Sequence, residues 1–257
     1  MKSLFTAATG MAAQQTRIEN ISNNLANVST PGFKKQREQF EDLLYQNMAT
    51  GTPGQGRTRA SILQSGSGVR LGSMVKDFTS GDLVATNGDY DISIAGRGFL
   101  IVEMPDGSEA YTRNGQLGIN AEGELVTQAG HLISPGVEVP QGVRTVRFAE
   151  DGTVLAFFEG ESEPVTLGQL RIADFMNPAG LRAMGGNLYA ASMESGPVLE
   201  LGEQDGYRIQ QGFLESSNVD VAEELVNMIV AQRSFEMTSK AVETSDQMMQ
   251  TVNGLKR

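Results

Sequence analysis

Four places in the sequence carry residue types that could do chemistry. Gly96-Arg97-Gly98 opens like a dinucleotide-binding fingerprint. That motif needs a third glycine and a following helix, and here position 101 is Ile101 with no helical pattern after it. The stretch reads instead as a tight turn between strands, where glycine supplies positive φ. His131 is the single histidine; no serine-plus-acid constellation accompanies it, and between Gly130 and Leu132 it reads as a turn residue. The pairs Glu122/Glu124 and Glu161/Glu163 could suggest a glycosidase pair or a calcium site, but no ligand-spaced Asp/Gly loop surrounds them. They read as solvated loop acids. The chain has no cysteine, which excludes disulfides, thiol catalysis and cysteine metal sites. No catalytic, cofactor-binding or metal-ligating residue is expected, and no cofactor.

Composition narrows the function further. The 257 residues suffice for one large or two modest domains. The net charge is −11, so no basic face is available for phosphates and a nucleic-acid partner is not expected. No stretch approaches the roughly 20 apolar residues of a membrane span, so no membrane insertion is expected. The charge is uneven: residues 1–40 carry +3, residues 216–257 carry −2 and the middle carries −12. Thirty glycines with 6% aromatic residues suggest many turns over a thin core.

With no reactive centre to position, the organising elements are the two ends. Leu4, Met11, Ile18 and Leu25 fall seven apart, with Ala7, Gln14, Ile21 and Val28 in a second row. A seven-residue repeat keeps one stripe facing a partner helix, as a coiled coil requires. The reading is one helix from residue 1 to the stop at Ser29-Thr30-Pro31-Gly32, where Pro31 lacks an amide donor and biases Thr30 away from helical angles. The seam is diluted by alanine, Gln14, Gln15, Ser22, Asn23, Asn24 and Asn27, so the helix needs a partner. At the other end Asp220, with Glu223 three residues on, begins a second helix. Val221, Met228, Phe235, Val242 and Met249 are again seven apart, flanked by Ala231, Thr238, Ser245 and Val252. Lys2 and the run Leu4–Ala13 have the outline of a signal peptide, but two threonines and Gly10 interrupt it and the heptad continues through any cleavage point.

Between the ends the periodicity changes. Residues 33–48 read as a short helical or extended piece in which Phe40 and Leu44, four apart, could share a helix face. Residues 49–73, with six glycines and Pro53, read as a loop. From residue 74 short strands alternate with turns: Asp91–Ile94, Phe99–Val102, Ala110–Arg113, Gln116–Ile119, Glu124–Thr127, Arg144–Phe148, Thr153–Phe158 and Leu167–Phe175. Asn114-Gly115 reads as a hairpin turn, and residues 177–205 as turn-rich. The expected fold is α+β: terminal heptad helices pairing as a coiled coil, with an all-β domain inserted. The expected segments are 1–48, 49–73, 74–215 and 216–257.

Three blocks in order then resemble the bacterial flagellar rod and hook family. They are Leu25–Lys34; Gly81-Asp82-Leu83 through Ile94–Phe99 to Tyr111–Gly115; and Gln211–Asp220 with Met228–Arg233. The length and the block Phe40–Gln46 are more similar to rod members than to the longer hook members. The resemblance implies an axial subunit that polymerises helically into the drive shaft, with the terminal helices as its inner layer. It implies partners in further copies of itself, in hook protein and proximal rod proteins, in surrounding ring proteins, and in the flagellar type III export apparatus. It implies a place in the basal body's periplasm-spanning rod, reached unfolded without a cleaved signal, with Phe40 and Leu44 as a possible export signal. The assembly seam is then Leu4, Met11, Ile18, Ile21, Leu25, Val221, Met228, Phe235, Val242 and Met249, with Pro31 and Gly32 as helix stop and turn. The competing readings are a proximal rod or hook-type axial subunit of the same family and, from a different class, a secreted ligand-binding module with an acidic β domain on a helical stalk; a hydrolase has no constellation to support it.

Overall fold

The computed structural model describes residues 2–44, 46–49, 62–159, 163–202 and 206–254. The chain divides into two compact units. One comprises Met1–Leu25, Gln36–Val75 and Asp220–Arg257; the other comprises Ala26–Lys35 and Lys76–Val219.

The first unit holds both long helices, α1 (Lys2–Ala26) and α2 (Val221–Gly254). The second starts where the sequence says it should. Asp220 Oδ1 accepts the amides of Ala222 at 2.8 Å and Glu223 at 3.1 Å, satisfying donors that a bare helix end would leave open. The end of α1 differs from expectation. It stops at Ala26, before Pro31-Gly32, because the chain turns back on itself at Asn27: Thr30 donates its amide to Asn27 O (3.1 Å) and its hydroxyl to Asn27 Oδ1 (3.3 Å). A main-chain turn from Asn27 to Thr30, with the two side chains bonded to each other across it, ends the helix before proline is reached. Pro31 and Gly32 therefore belong to the turn that follows, with Gly32 at φ +68°.

Residues 33–44 and 46–48 are extended, not helical. Strand Gln36–Asp42 pairs with Val69–Lys76, and Gln46–Ala49 with Ile62–Ser65. The expected 49–73 loop is thus in part strand, while residues 50–61 lie outside the described residues. Phe40 sits in the strand, half-buried; Leu44 lies beyond its end and is 89% exposed, so the two share no helix face.

The second unit is β-rich. Its main sheet runs Arg182–Gly185, Leu188–Ala190, Glu109–Thr112, Phe99–Glu103, Leu132–Ile133, Leu125–Thr127, Leu117–Ile119; Ile172–Phe175 joins Val198–Leu201 to the central strand. The continuous apolar run at 99–102 is explained by burial on both faces. Leu100 and Val102 pack with Ile133, Val154 and Ile209, while Phe99 and Ile101 pack with Tyr111, Phe175 and Tyr189. Val143–Phe148, Thr153–Phe158 and Val165–Gln169 form a separate antiparallel sheet whose first turn is at Asp151-Gly152. The expected Leu167–Phe175 strand is two strands, broken at Leu170-Arg171, and the turn-rich 177–205 region includes three short strands.

Asn114-Gly115 does not close a hairpin. Glu109–Thr112 pairs with its predecessor Phe99–Glu103 and with Leu188–Ala190, whereas Leu117–Ile119 pairs forward with Leu125–Thr127. Gly115 is needed for close approach: a Cβ there would stand 1.7 Å from the carbonyl oxygen of Ile92. Gly96 (φ +106°) and Gly98 (φ +122°) do form the tight turn between Ile92–Ala95 and Phe99–Glu103. His131 lies in the turn between Leu125–Thr127 and Leu132–Ile133, its carbonyl accepting the Thr127 amide at 2.8 Å.

Candidate functional site

The sites of interest are built from packing residues. In the β-rich unit, three distant stretches each send one charge to the same buried point. Lys34, Arg113 and Glu215 are all buried. Lys34 Nζ donates to Glu215 Oε1 at 2.6 Å and to Thr79 O at 2.7 Å. The amide of Gly81 donates to the same Oε1 at 2.9 Å. Arg113 Nη1 stands 3.6 Å from Glu215 Oε2, and its guanidinium donates to the carbonyls of Ile94 (3.1 Å) and Gly96 (2.6 Å) and lies over the Phe99 ring. Burial pushes the Lys34 ammonium below its ordinary range, against the opposing pull of Glu215; burial pushes Arg113 the same way.

The backbone around the cluster is equally tight. Gly32 donates its amide to Glu215 O at 2.8 Å, and a Cβ at Gly32 would meet Asn114 N at 2.7 Å. Asn187 Nδ2 donates to Pro31 O at 3.0 Å. Asn218 Oδ1 accepts the Lys35 amide at 2.7 Å while its Nδ2 donates to Asp77 O at 2.8 Å. Strand Phe213–Glu215 pairs with Leu83–Ala85. The Pro31-Gly32 turn is thus the place where residues 30–35 dock onto residues 113–114 and 215–218. Sequence reasoning had singled out these stretches but none of the three charges. The available signal was that each stretch sets one charge beside or two residues after an aromatic: Phe33-Lys34, Tyr111-Thr112-Arg113, Phe213-Leu214-Glu215.

In the helical unit, Ile21 is buried, and Leu4, Met11, Ile18 and Leu25 are half-buried. On α2 the covered stripe runs Glu224, Met228, Ala231, Phe235, Thr238, Val242, Ser245, alternating steps of four and three. Val221 (41% exposed) and Met249 (37%) fall outside it. A second apolar set on α2, Leu225, Val226, Ile229 and Val230, is exposed.

Asn24, which seemed only to weaken the α1 seam, has a role there, and so does Asn20. Asn20 and Asn24 are buried, and both donate to Gln36 O, at 2.9 and 3.0 Å. Asn24 Oδ1 accepts the Gln36 amide, and its Nδ2 also reaches Glu224 Oε1 on α2 at 3.4 Å. Fourteen residues earlier on α1, a Cβ at Gly10 would lie 3.7 Å from Thr238 Cγ2, fourteen residues later on α2.

Among the described residues there is no group of three or more His, Asp or Glu placed to hold a metal ion, and no helix is long and apolar enough to cross a membrane. Glu122 and Glu124 belong to a turn in which Asn120 Oδ1 accepts both of their amides; Glu161 lies outside the described residues.

Comparison with known proteins matches the same stretches. Residues 4–34 match the family described as "Flagella basal body rod protein", residues 93–156 the "Flagellar hook protein FlgE/F/G D1 domain", and residues 210–255 the "Flagellar basal body rod FlgEFG protein C-terminal". The chain is 43% identical over 263 residues to the flagellar basal-body rod protein FlgG of Borreliella burgdorferi, covering all of this chain and 99% of that protein. It is 44% identical to FlgG of Buchnera aphidicola subsp. Acyrthosiphon pisum, over 98% of this chain and 99% of the relative. It is 39% identical to FlgG of Caulobacter vibrioides, over the whole of both. Each matched region supplies one member of the buried cluster, Lys34, Arg113 or Glu215, so the parts that mark the family are also the parts that knit one unit together. The chain belongs to the family of flagellar basal-body rod proteins, as a structural subunit of the distal rod.

Proposed function

We propose that the chain builds the distal rod by helical self-polymerisation, with α1 and α2 pairing as an antiparallel coiled coil that forms the subunit's axial part. The observation that carries this reading is the exposed apolar set on α2, Leu225, Val226, Ile229 and Val230, beside a stripe already covered in heptad steps. A helix covered on one side and apolar on the other has a second surface to bury. Antiparallel pairing is supported by the two α1–α2 approaches: Gly10 toward Thr238 and Asn24 toward Glu224, where the residue numbers move oppositely by two heptads. A helical polymer is built from heterologous, non-closing contacts, and hook protein and proximal rod proteins are its neighbours at the ends, with ring proteins around it.

The test is removal of residues 2–30 in a cell whose distal rod depends on this chain. The truncated subunit fails to form rods and the cells do not swim; normal motility would overturn the reading.

Export proceeds through the flagellar type III apparatus, with Phe40 and Leu44 read while the chain is unfolded. The exposure of Leu44 supports this, since no core contact among the described residues accounts for a leucine there. Phe40→Ala/Leu44→Ala subunits should accumulate in the cytoplasm and disappear from the exported fraction. Normal export with defective assembly would make these residues packing residues instead.

A further inference from the structure

The β-rich unit presents an apolar projection that its own core does not use. Met193 is fully exposed and Met176 is 84% exposed. They stand on two loops tied together by short hydrogen bonds. Asn177 Nδ2 donates to Glu194 O at 3.0 Å, and Ser192 Oγ donates to Gly180 O at 2.6 Å. Ser195, wholly buried between them, donates to Ser192 O at 2.9 Å. Gly180 has no room for a side chain, since a Cβ would meet the Glu194 carbonyl carbon at 2.5 Å. The methionines are therefore held out on a fixed pedestal rather than on a slack loop. Methionine adapts its shape to an irregular apolar surface, which suits it to such a contact.

The same unit carries a groove of about 830 Å³ built from different elements. Phe148, Val146 and Ile209 are buried residues in its lining, and Phe157 is half-buried there. Arg144 and Arg147 are exposed on its rim. Asp89 and Glu150 also line it, with Glu150 facing Arg208 at 3.9 Å. Glu194, exposed immediately after Met193, is opposite in sign to the two rim arginines.

From this complementarity we infer that, in the rod, Met176 and Met193 of one subunit seat in the groove of a second copy, with Glu194 meeting Arg144 and Arg147. The inference rests on the polymer reading above and adds a contact between β-rich units. Projection and groove are different surfaces, so each subunit gives one and receives another. Such a head-to-tail contact is of the kind that repeats along an open helical polymer when its rotation does not close a ring.

The absence of cysteine makes the test clean. Full-length Met193→Cys/Thr145→Cys subunits, assembled into rods and mildly oxidised, should run as a covalent ladder on a non-reducing gel. Either single cysteine variant gives no ladder. Rods that form without a ladder overturn this contact and leave the polymer reading standing; failure of the unaltered chain to form rods overturns the polymer reading itself. A charge exchange tests the contact without relying on the cysteine pair. Glu194→Arg should lose assembled rods, and adding Arg144→Glu and Arg147→Glu should restore them. Unchanged assembly in the first variant, or no recovery in the second, overturns the inference.

Discussion

Glu215→Gln lowers the stability of the subunit by about 3–5 kcal/mol, the range for breaking a buried ion pair by removing one partner. With a urea dependence of roughly 2 kcal/mol per molar, the unfolding midpoint falls by roughly 2 M. The chain has no tryptophan, so tyrosine emission or circular dichroism would follow the transition. The reason for so large a loss is that Glu215 is the anion facing two buried cations, Lys34 at 2.6 Å and Arg113 at 3.6 Å. Burial already depresses Lys34, with Glu215 opposing it. Without that carboxylate the Lys34 ammonium is depressed further. The folded variant then binds fewer protons than the unfolded chain up to the ordinary lysine value of 10.5. Stability rises with pH wherever the unfolded state binds more protons. The deficit of Glu215→Gln should therefore narrow as pH is raised from neutrality towards 10. Lys34→Met alone is also destabilising, and the double variant costs less than the sum of the two. Additive losses, or a single-variant loss under about 0.5 kcal/mol, would mean that the cluster is not a coupled unit.

Local physics was legible in the sequence, and long-range placement was not. Asp220 capped α2 as its type and position indicated, because a cap depends on amides two and three residues away. Phe99–Val102 read correctly as a buried strand; that its alternate side chains enter two different cores depends on what covers each face. Asn114-Gly115 misled because glycine has two uses. The turn reading assumed conformational freedom, whereas Gly115 is required by the nearness of the Ile92 carbonyl. Asn24 misled for a similar reason. On a heptad it looks like a weak position, yet its amide satisfies both backbone groups of Gln36. Lys34, Arg113 and Glu215 could not be found by spacing, since they meet only when three remote stretches do. The family blocks marked those stretches, and only the folded chain showed which atoms meet there.

The largest effect on assembly belongs to a residue that the isolated subunit barely uses. Ile229 is 58% exposed on α2, next to Val230 and one turn from Leu225 and Val226, all exposed. Ile229→Asp adds a charge at a solvated position, which costs the subunit's own fold no more than about 0.5 kcal/mol. If another subunit covers this face in the rod, the same carboxylate becomes buried and unpaired, at several kcal/mol per contact, and the penalty recurs at every subunit added. The expected result is a subunit with an unchanged unfolding midpoint, exported normally, forming no rods and leaving cells non-motile. Met228→Asp provides the contrast, because Met228 lies on the half-buried stripe with Ala231 and Phe235. It should lower the subunit's own stability as well as assembly. If cells carrying Ile229→Asp swim normally, that face is not a contact, and the exposed apolar residues of α2 lose the role argued for them. If the two aspartate variants destabilise the isolated subunit equally, both positions belong to one intrachain interface, and the distinction between a covered and an uncovered side of α2 is wrong.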